Sequence, residues 1–252
     1  MIKTAIFDLD GTLFVGKTVV PGAAEALERL RLAGIKVFFL TNAGTRTREG
    51  VAHKLTNMGL QAVEEEVYCG SYLVAKYIAA NFPRKKAFIV GEPGMAEELK
   101  AADVPVAEHA DIVAVCLDRH LTYEKLAKAH RLLKKGAEFI ASNKDHTFPT
   151  EHGSMPGAGS IVAALEFSSK KTAHVIGKPN PFAFEIMKKE LGLNEEETVM
   201  VGDRLDTDVM FAKNAGIKSA LVLTGISKKE EIKEKRITPD FVFPSVAELT
   251  LP

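Results

Sequence analysis

Ile2-Lys3-Thr4-Ala5-Ile6-Phe7-Asp8-Leu9-Asp10-Gly11-Thr12 decides the fold. A short apolar run of β-formers ends in two acids and a glycine, as a buried strand does when it delivers its C-terminal end to a loop. Pro21-Gly22 then opens a helical pattern over 23–33, with Leu27, Leu30 and Ala33 at helical spacing and Gly34 as a stop. A second apolar strand covers 35–40. Strand, helix and strand joined this tightly require parallel strands and a right-handed crossover.

The pattern recurs toward the other end. It predicts a strand over 174–177, a helix over 181–191, a strand over 198–201, a helix over 206–215 stopped by Gly216, and a strand over 219–223. The two blocks together read as an α/β fold with one doubly wound parallel sheet. Between them lie further strand and helix signals over 86–90, 95–102, 111–117, 123–135 and 138–142, too much chain for a crossover. The expected organisation is a catalytic core of 1–81 and 172–252 with a smaller α/β domain, 82–171, inserted in it. The mixed-charge stretch 228–236 reads as a solvated helical face.

Positive and negative side chains balance at 33 each among 252 residues, so no basic field recommends nucleic acid. A small molecule is the expected partner. Cys69 and Cys116 lie far apart without metal-type or disulfide spacing, which points to a reducing, cytoplasmic home. The opening residues are too short and too quickly acidic for a signal peptide, and no apolar stretch is long enough to span a bilayer. His53, His109, His130, His152 and His174 show no paired ligand spacing and are expected at the surface or in structural roles.

Asp8 and Asp10 crowd one strand end. Without a cation, repulsion would raise the proton affinity of one of them; a divalent ion can keep Asp8 ionised and leave Asp10 to handle protons. That division suits covalent phosphoryl transfer. An Asp-Gly turn alone is a common loop signal, but a second acidic cluster, Val201-Gly202-Asp203-Arg204-Leu205-Asp206-Thr207-Asp208, ends another strand. Magnesium takes hard oxygen ligands: carboxylates of Asp8 and Asp203, the backbone carbonyl of Asp10, and an outer or water-mediated contact from Asp208. Asp206 is the expected cap of the helix that follows. Thr41-Asn42 and Gly177-Lys178-Pro179 follow two further strands and offer a hydroxyl, an amide and an ammonium to a phosphate. Four polar tips on four parallel strands then form one site.

Asp8-Leu9-Asp10-Gly11-Thr12, Thr41-Asn42, Lys178 and Gly202-Asp203 with Asp208 resemble, in order, the four motifs of haloacid dehalogenase (HAD) superfamily phosphatases. The resemblance implies a Rossmann-like core in which Asp8 attacks phosphorus and Asp10 protonates the leaving oxygen and then activates water. It also implies that Thr41, Asn42 and Lys178 hold the phosphoryl group while Asp203 helps hold Mg2+. An acid at position 10 favours hydrolysis or mutase chemistry, since a dehalogenase would lack it and the superfamily's ATPases carry Thr there. The long insertion follows the second motif, which disfavours a mutase-type cap.

The segments 20–23, 41–46 and 156–160 are similar to the p-nitrophenyl phosphatase and NagD-like branch, which implies a C2-type α/β cap; Ala43 departs from the second Asn of many relatives. The expected activity is magnesium-dependent hydrolysis of a small phosphate ester. The substrate classes left open are sugar phosphates, phosphoglycolate, glycerol phosphate, pyridoxal phosphate and nucleoside monophosphates. A phosphotransferase or mutase using the same phospho-Asp, or a non-catalytic phosphate-ligand sensor, are the alternatives. The inserted domain would lie as a lid over the strand tips, and an apolar surface on it could support a homodimer. The stretch 141–149 is its candidate specificity segment. Arg46 and Arg48 could guide an anionic ester, with Arg48 alternatively on the exposed face of the next helix, and Asp118 with Arg119 is expected to order a turn.

Overall fold

A computed structural model describes residues 1–150 and 153–251, so His152 lies outside the described residues. The chain opens with strand β1 (Thr4–Phe7) and a small hairpin of β2 (Phe14–Val15) and β3 (Thr18–Val19). Helix α1 (Ala23–Leu32), strand β4 (Lys36–Thr41), helix α2 (Arg48–Asn57), strand β5 (Val67–Cys69) and helix α3 (Gly70–Asn81) follow. Thr47 starts α2 by accepting a hydrogen bond from the Gly50 amide at 3.0 Å.

The next stretch carries β6 (Ala87–Val90), α4 (Pro93–Ala101), β7 (Ile112–Val115), α5 (Tyr123–Lys134) and β8 (Glu138–Ala141). A hairpin of β9 (Thr147–Thr150) and β10 (Gly153–Pro156) leads to α6 (Ala158–Ser169) and β11 (His174–Val175). The chain ends with α7 (Phe182–Leu191), β12 (Thr198–Gly202), α8 (Met210–Ala215), β13 (Lys218–Val222), α9 (Glu231–Glu234) and β14 (Phe241–Phe243). No residue of α9 is buried, in keeping with a solvated face over 228–236.

Six parallel strands form the main sheet in the order β14-β13-β12-β1-β4-β5. β1 sits between β12 and β4 and is buried throughout. Its period-two alternation feeds two cores: Ala5 and Phe7 pack with Leu27 and Leu55 of α1 and α2, while Ile6 packs with Leu73, Phe184 and Phe211 on the opposite face. Helices on both faces of a parallel sheet explain why its strands read as unbroken apolar runs.

A second, four-stranded parallel sheet has the order β11-β8-β7-β6. One face packs Val113 and Val115 against Leu133, Val162 and Leu165 of α5 and α6. The other carries Ile112, Ala114 and Ile140 into the same apolar cluster as Ile6 and Leu40 of the main sheet. The two sheets therefore share a continuous core.

Three features differ from the sequence reading. The strand expected over 174–177 in the main sheet joins the second sheet instead. Both edges of β1 are already taken, whereas β8 has a free edge: the Ile176 amide donates to Ala141 O at 3.0 Å and the Gly177 amide to Ser142 O at 2.7 Å. Lys178 thus reaches the site from the second sheet, and the four polar tips do not belong to four neighbouring strands. The helix expected over 206–215 begins as a π-helical turn, Leu205–Val209, before α8. Asp206 caps nothing there; it pairs with Arg204 at 3.2 Å. Among the described residues, no helix is long and apolar enough to cross a membrane.

Candidate active site

Asp8 lies one residue past β1, and its amide continues the ladder to Val201 O at 2.8 Å, which fixes the carboxylate at the sheet's tip. The chain then doubles back, with the amides of Leu13 and Phe14 both pointing at Leu9 O. Gly11 makes the turn possible. Its φ is +91°, and a Cβ there would stand 2.5 Å from Asp203 Oδ2, so only glycine fits both the dihedral and the approach.

Asp8, Asp203 and Asp208 each offer a carboxylate oxygen within 4.8 Å of the others. Asp203 is fully buried. Its Oδ2 accepts from the Ile226 amide at 2.7 Å, while its buried Oδ1 has no hydrogen-bond partner. Burial, with Asp208 nearby, pushes its carboxyl up to about 7. Burial likewise raises Asp8 well above the usual carboxylate range, with Asp208 and Asp203 acting in the same direction and Lys178 opposing. An orphaned buried oxygen among three crowded carboxylates fits a hard divalent cation such as Mg2+, which would supply the missing positive charge.

Lys178 supplies part of that charge already. Its Nζ donates to Asp8 Oδ1 at 2.6 Å, Asp208 Oδ1 at 2.7 Å and Leu40 O at 3.0 Å, using all three of its donors. Burial alone would lower its proton affinity, but Asp208 and Asp8 outweigh it and the net shift is upward. Asp208 also accepts from the Arg204 amide through Oδ2 at 3.1 Å, closing the turn that the sequence reading gave to Asp206.

Thr41 ends β4 with a buried hydroxyl that accepts from the Ala43 amide at 3.1 Å and keeps its own proton to donate. Asn42 works differently. Its Nδ2 donates to Lys178 O at 3.1 Å and to the Asp145 carboxylate at 3.2 and 3.3 Å, while its backbone carbonyl accepts from Asn143 Nδ2 at 2.8 Å. Its amide group ties the Lys178 loop to the loop after β8. Asp10 is raised by burial, against Lys54 and then Lys178.

Asp8, Asp10, Thr41, Asn42, Lys178 and Asp208 line one cavity of about 550 Å³. Its roof comes from the loop after β8 and the start of β9, with Asn143, Asp145, Thr147 and Phe148 of the expected specificity segment. Asp203 forms no part of the lining. Arg46 lines the cavity, whereas Arg48 is turned away, its Nε on Val67 O at 2.8 Å and its guanidinium 4.1 Å over Tyr72. Arg119 forks onto Glu92 with two bonds of 2.7 Å, not onto Asp118, which instead pairs with Lys125 and accepts from the His120 amide.

Sequence reasoning missed Lys54 and the contributions of Arg204 and Asp145. Arg204 and Asp145 stood within segments already marked as polar loops, but their mutual electrostatic influence needs the fold. Lys54 gave no signal, because a lysine on an amphipathic helix is ordinarily solvated.

Residues 5–105 match the family model for haloacid dehalogenase-like hydrolase, and 175–249 match a HAD-hydrolase-like model. The chain belongs to the haloacid dehalogenase-like hydrolases. It is a phosphatase of that family, and its similarities are specific. It is 36% identical to human glycerol-3-phosphate phosphatase, over 98% of this chain and 90% of that protein. It is also 36% identical to the acid sugar phosphatase of Staphylococcus aureus, over 98% and 96%. The solved structure of a 4-nitrophenylphosphatase from Thermotoga maritima superposes with a TM-score of 0.94 at 36% identity, over 98% of this chain and 95% of that one.

Proposed function

We propose that the chain is a magnesium-dependent phosphomonoesterase that hydrolyses a small phosphorylated metabolite through an aspartyl-phosphate on Asp8. The observation that carries this reading is Asp8, held by Lys178 at 2.6 Å, beside an Asp203 whose buried Oδ1 lacks a partner. The core of 1–81 and 172–252 provides Asp8 and Asp203, Lys178 enters after β11 at the edge of the second sheet, and the cap of 82–171 roofs them.

Asp8 attacks phosphorus and a P–O bond forms as the bond to the ester oxygen breaks. Asp10, its carboxyl raised by burial, gives its proton to the departing alkoxide. In the second half it takes a proton from the water that cleaves the phospho-aspartate, which returns Asp8. Thr41 donates its hydroxyl to the phosphoryl oxygens and Lys178 neutralises them. Asp8, Asp203 and the carbonyl of Asp10 would hold Mg2+, with Asp208 outside; when bound it offsets the charge shared by phosphoryl group and carboxylates.

Related proteins named for glycerol-3-phosphate, acid sugars and 4-nitrophenyl phosphate support a small ester as substrate. The free, buried Cys69 and Cys116 suit a cytoplasmic setting. Exposed Tyr123 and Phe167 on α5 and α6 offer a surface for a homodimer.

The test is phosphate release from a panel of metabolite esters with Mg2+, repeated with Asp8→Asn and Asp10→Asn and with an added acceptor alcohol. Asp8→Asn should abolish release and Asp10→Asn should slow turnover while trapping phosphorylated protein. Normal turnover by Asp8→Asn would end the proposal, and transfer to the acceptor in place of water would replace hydrolysis with phosphotransfer.

A further inference from the structure

The cations around the cavity are not equally engaged. Lys178 is saturated by Asp8, Asp208 and Leu40 O, Arg204 pairs with Asp206, and Arg119 forks onto Glu92. Lys17 also has a partner. Arg46 differs. Among the described residues its guanidinium makes no hydrogen bond or ion pair, although it lines the cavity on the same loop as Thr41.

Its backbone is nevertheless fixed. Ser71 Oγ donates to Arg46 O at 2.5 Å, and α4 presses so closely that a Cβ on Gly94 would stand 2.5 Å from the Arg46 carbonyl carbon. A long cation on a clamped loop is pre-positioned without being neutralised.

Lys54 lines the same cavity. Its Nζ lies 3.8 Å over the Phe14 ring, in a half-buried place on the wall of the same cavity, with no carboxylate of the described residues in ion-pair range. Burial pulls its proton affinity down, Asp10 opposes, and the Arg46 charge pulls it down further, so the two cations sense one another. Two positive groups on one cavity that repel each other are relieved by an anion between them.

We infer that Arg46 and Lys54 form a second anion subsite, which makes the enzyme selective for phosphate esters carrying a further carboxylate or phosphate on the leaving group. The guanidinium fork suits either anion. Arg46 and Lys54 line the same cavity as Asp10, which serves the leaving oxygen, and are separate from Thr41 and Lys178, so the subsite reads the part of the substrate the phosphoryl pocket does not. This inference rests on ester hydrolysis at Asp8.

Matched pairs test it: 3-phosphoglycerate against glycerol 3-phosphate for a carboxylate, and fructose 1,6-bisphosphate against fructose 6-phosphate for a phosphate. The wild type should favour the doubly anionic member of at least one pair by about tenfold to a hundredfold in kcat/KM, and the favoured pair names the anion. Arg46→Gln should reduce that ratio about tenfold, mainly through KM, with Arg46→Lys retaining most of it. High salt should compress the preference as well. Calorimetric binding of the same esters to Asp8→Asn reads the preference without turnover. If binding is selective but no ester is hydrolysed, the hydrolytic reading fails and the subsite stands. If phosphate is released with no preference in either pair, or Arg46→Gln leaves the ratio within twofold, the subsite is abandoned and the hydrolytic reading stands.

Discussion

Lys178 and Asp208 form an ion pair sealed from solvent, with 2.7 Å between Nζ and Oδ1 and both side chains 2% exposed. The two residues arrive from different sheets: Lys178 follows β11 of the second sheet, and Asp208 lies in the π-helical turn after β12 of the first. Their pairing therefore fastens the sheets together beside Asp8, to which Lys178 also donates. Removing one partner of such a pair leaves a bare charge in a poorly solvated place.

Lys178→Met should accordingly lower stability by about 3 to 5 kcal/mol and phosphate release by about a hundredfold to a thousandfold. In Lys178→Met/Asp208→Asn the second change removes one stranded carboxylate, so part of the stability should return while activity stays low. Urea denaturation and kcat/KM on p-nitrophenyl phosphate measure the two separately. Additive stability losses in the double variant would show that the pair is not energetically coupled.

The legibility of this site follows from what each signal depends on. Asp8, Thr41 and Asp203 stand at or just beyond strands whose apolar runs are local and strong, so their placement at the tips of the main sheet could be read from the chain alone. Lys178 was legible as a residue but not as a position, since nothing in the sequence around 174–177 says which sheet has a free edge. That depends on β8, far back in the chain. Asp206 and Asp208 are a similar case. Both suit a helix start, and the choice between them rests on whether Lys178 arrives, a long-range fact. The hairpin of β9 and β10 escaped notice because its residues alternate weakly and all four of β10 are exposed.

Asp203 leads to a pH prediction. Its carboxyl stands at about 7 in the folded protein without metal, against about 3.9 in an unfolded chain. The folded state then binds more protons than the unfolded state between those values, so stability falls as pH rises from about 4 to about 7. Asp8, also raised, adds in the same sense. The Asp203 contribution is at most about 4 kcal/mol, and about 1 kcal/mol moves Tm by roughly 3 °C in a chain this size. Magnesium favours the ionised carboxylates, so the gain in Tm on adding it should be larger at pH 8 than at pH 5. Thermal unfolding in chelator and in Mg2+ across that range is the measurement; a gain independent of pH would mean that these carboxylates do not hold the ion.

Asn42 and Asp145 supply the last prediction, because they connect the phosphate pocket to its roof. Asn42 Nδ2 is shared between Lys178 O and both oxygens of Asp145. Burial raises the Asp145 carboxyl, while Arg204, Asn42 and Lys178 hold it back. Asn42→Asp would remove the donor from both partners and set a second carboxylate against the first. It should cost about a hundredfold in kcat/KM. Asp145→Asn alone keeps an acceptor for Asn42 and loses mainly the attraction to Arg204, so about tenfold or less is expected. In Asn42→Asp/Asp145→Asn the new amide can donate to the new carboxylate, which restores the contact in reverse although Lys178 O remains without its donor. The double variant should therefore recover about tenfold over Asn42→Asp. If it is instead as impaired as the two single losses multiplied together, the contact has no part in holding the Lys178 loop, and the roof acts on the pocket through other residues.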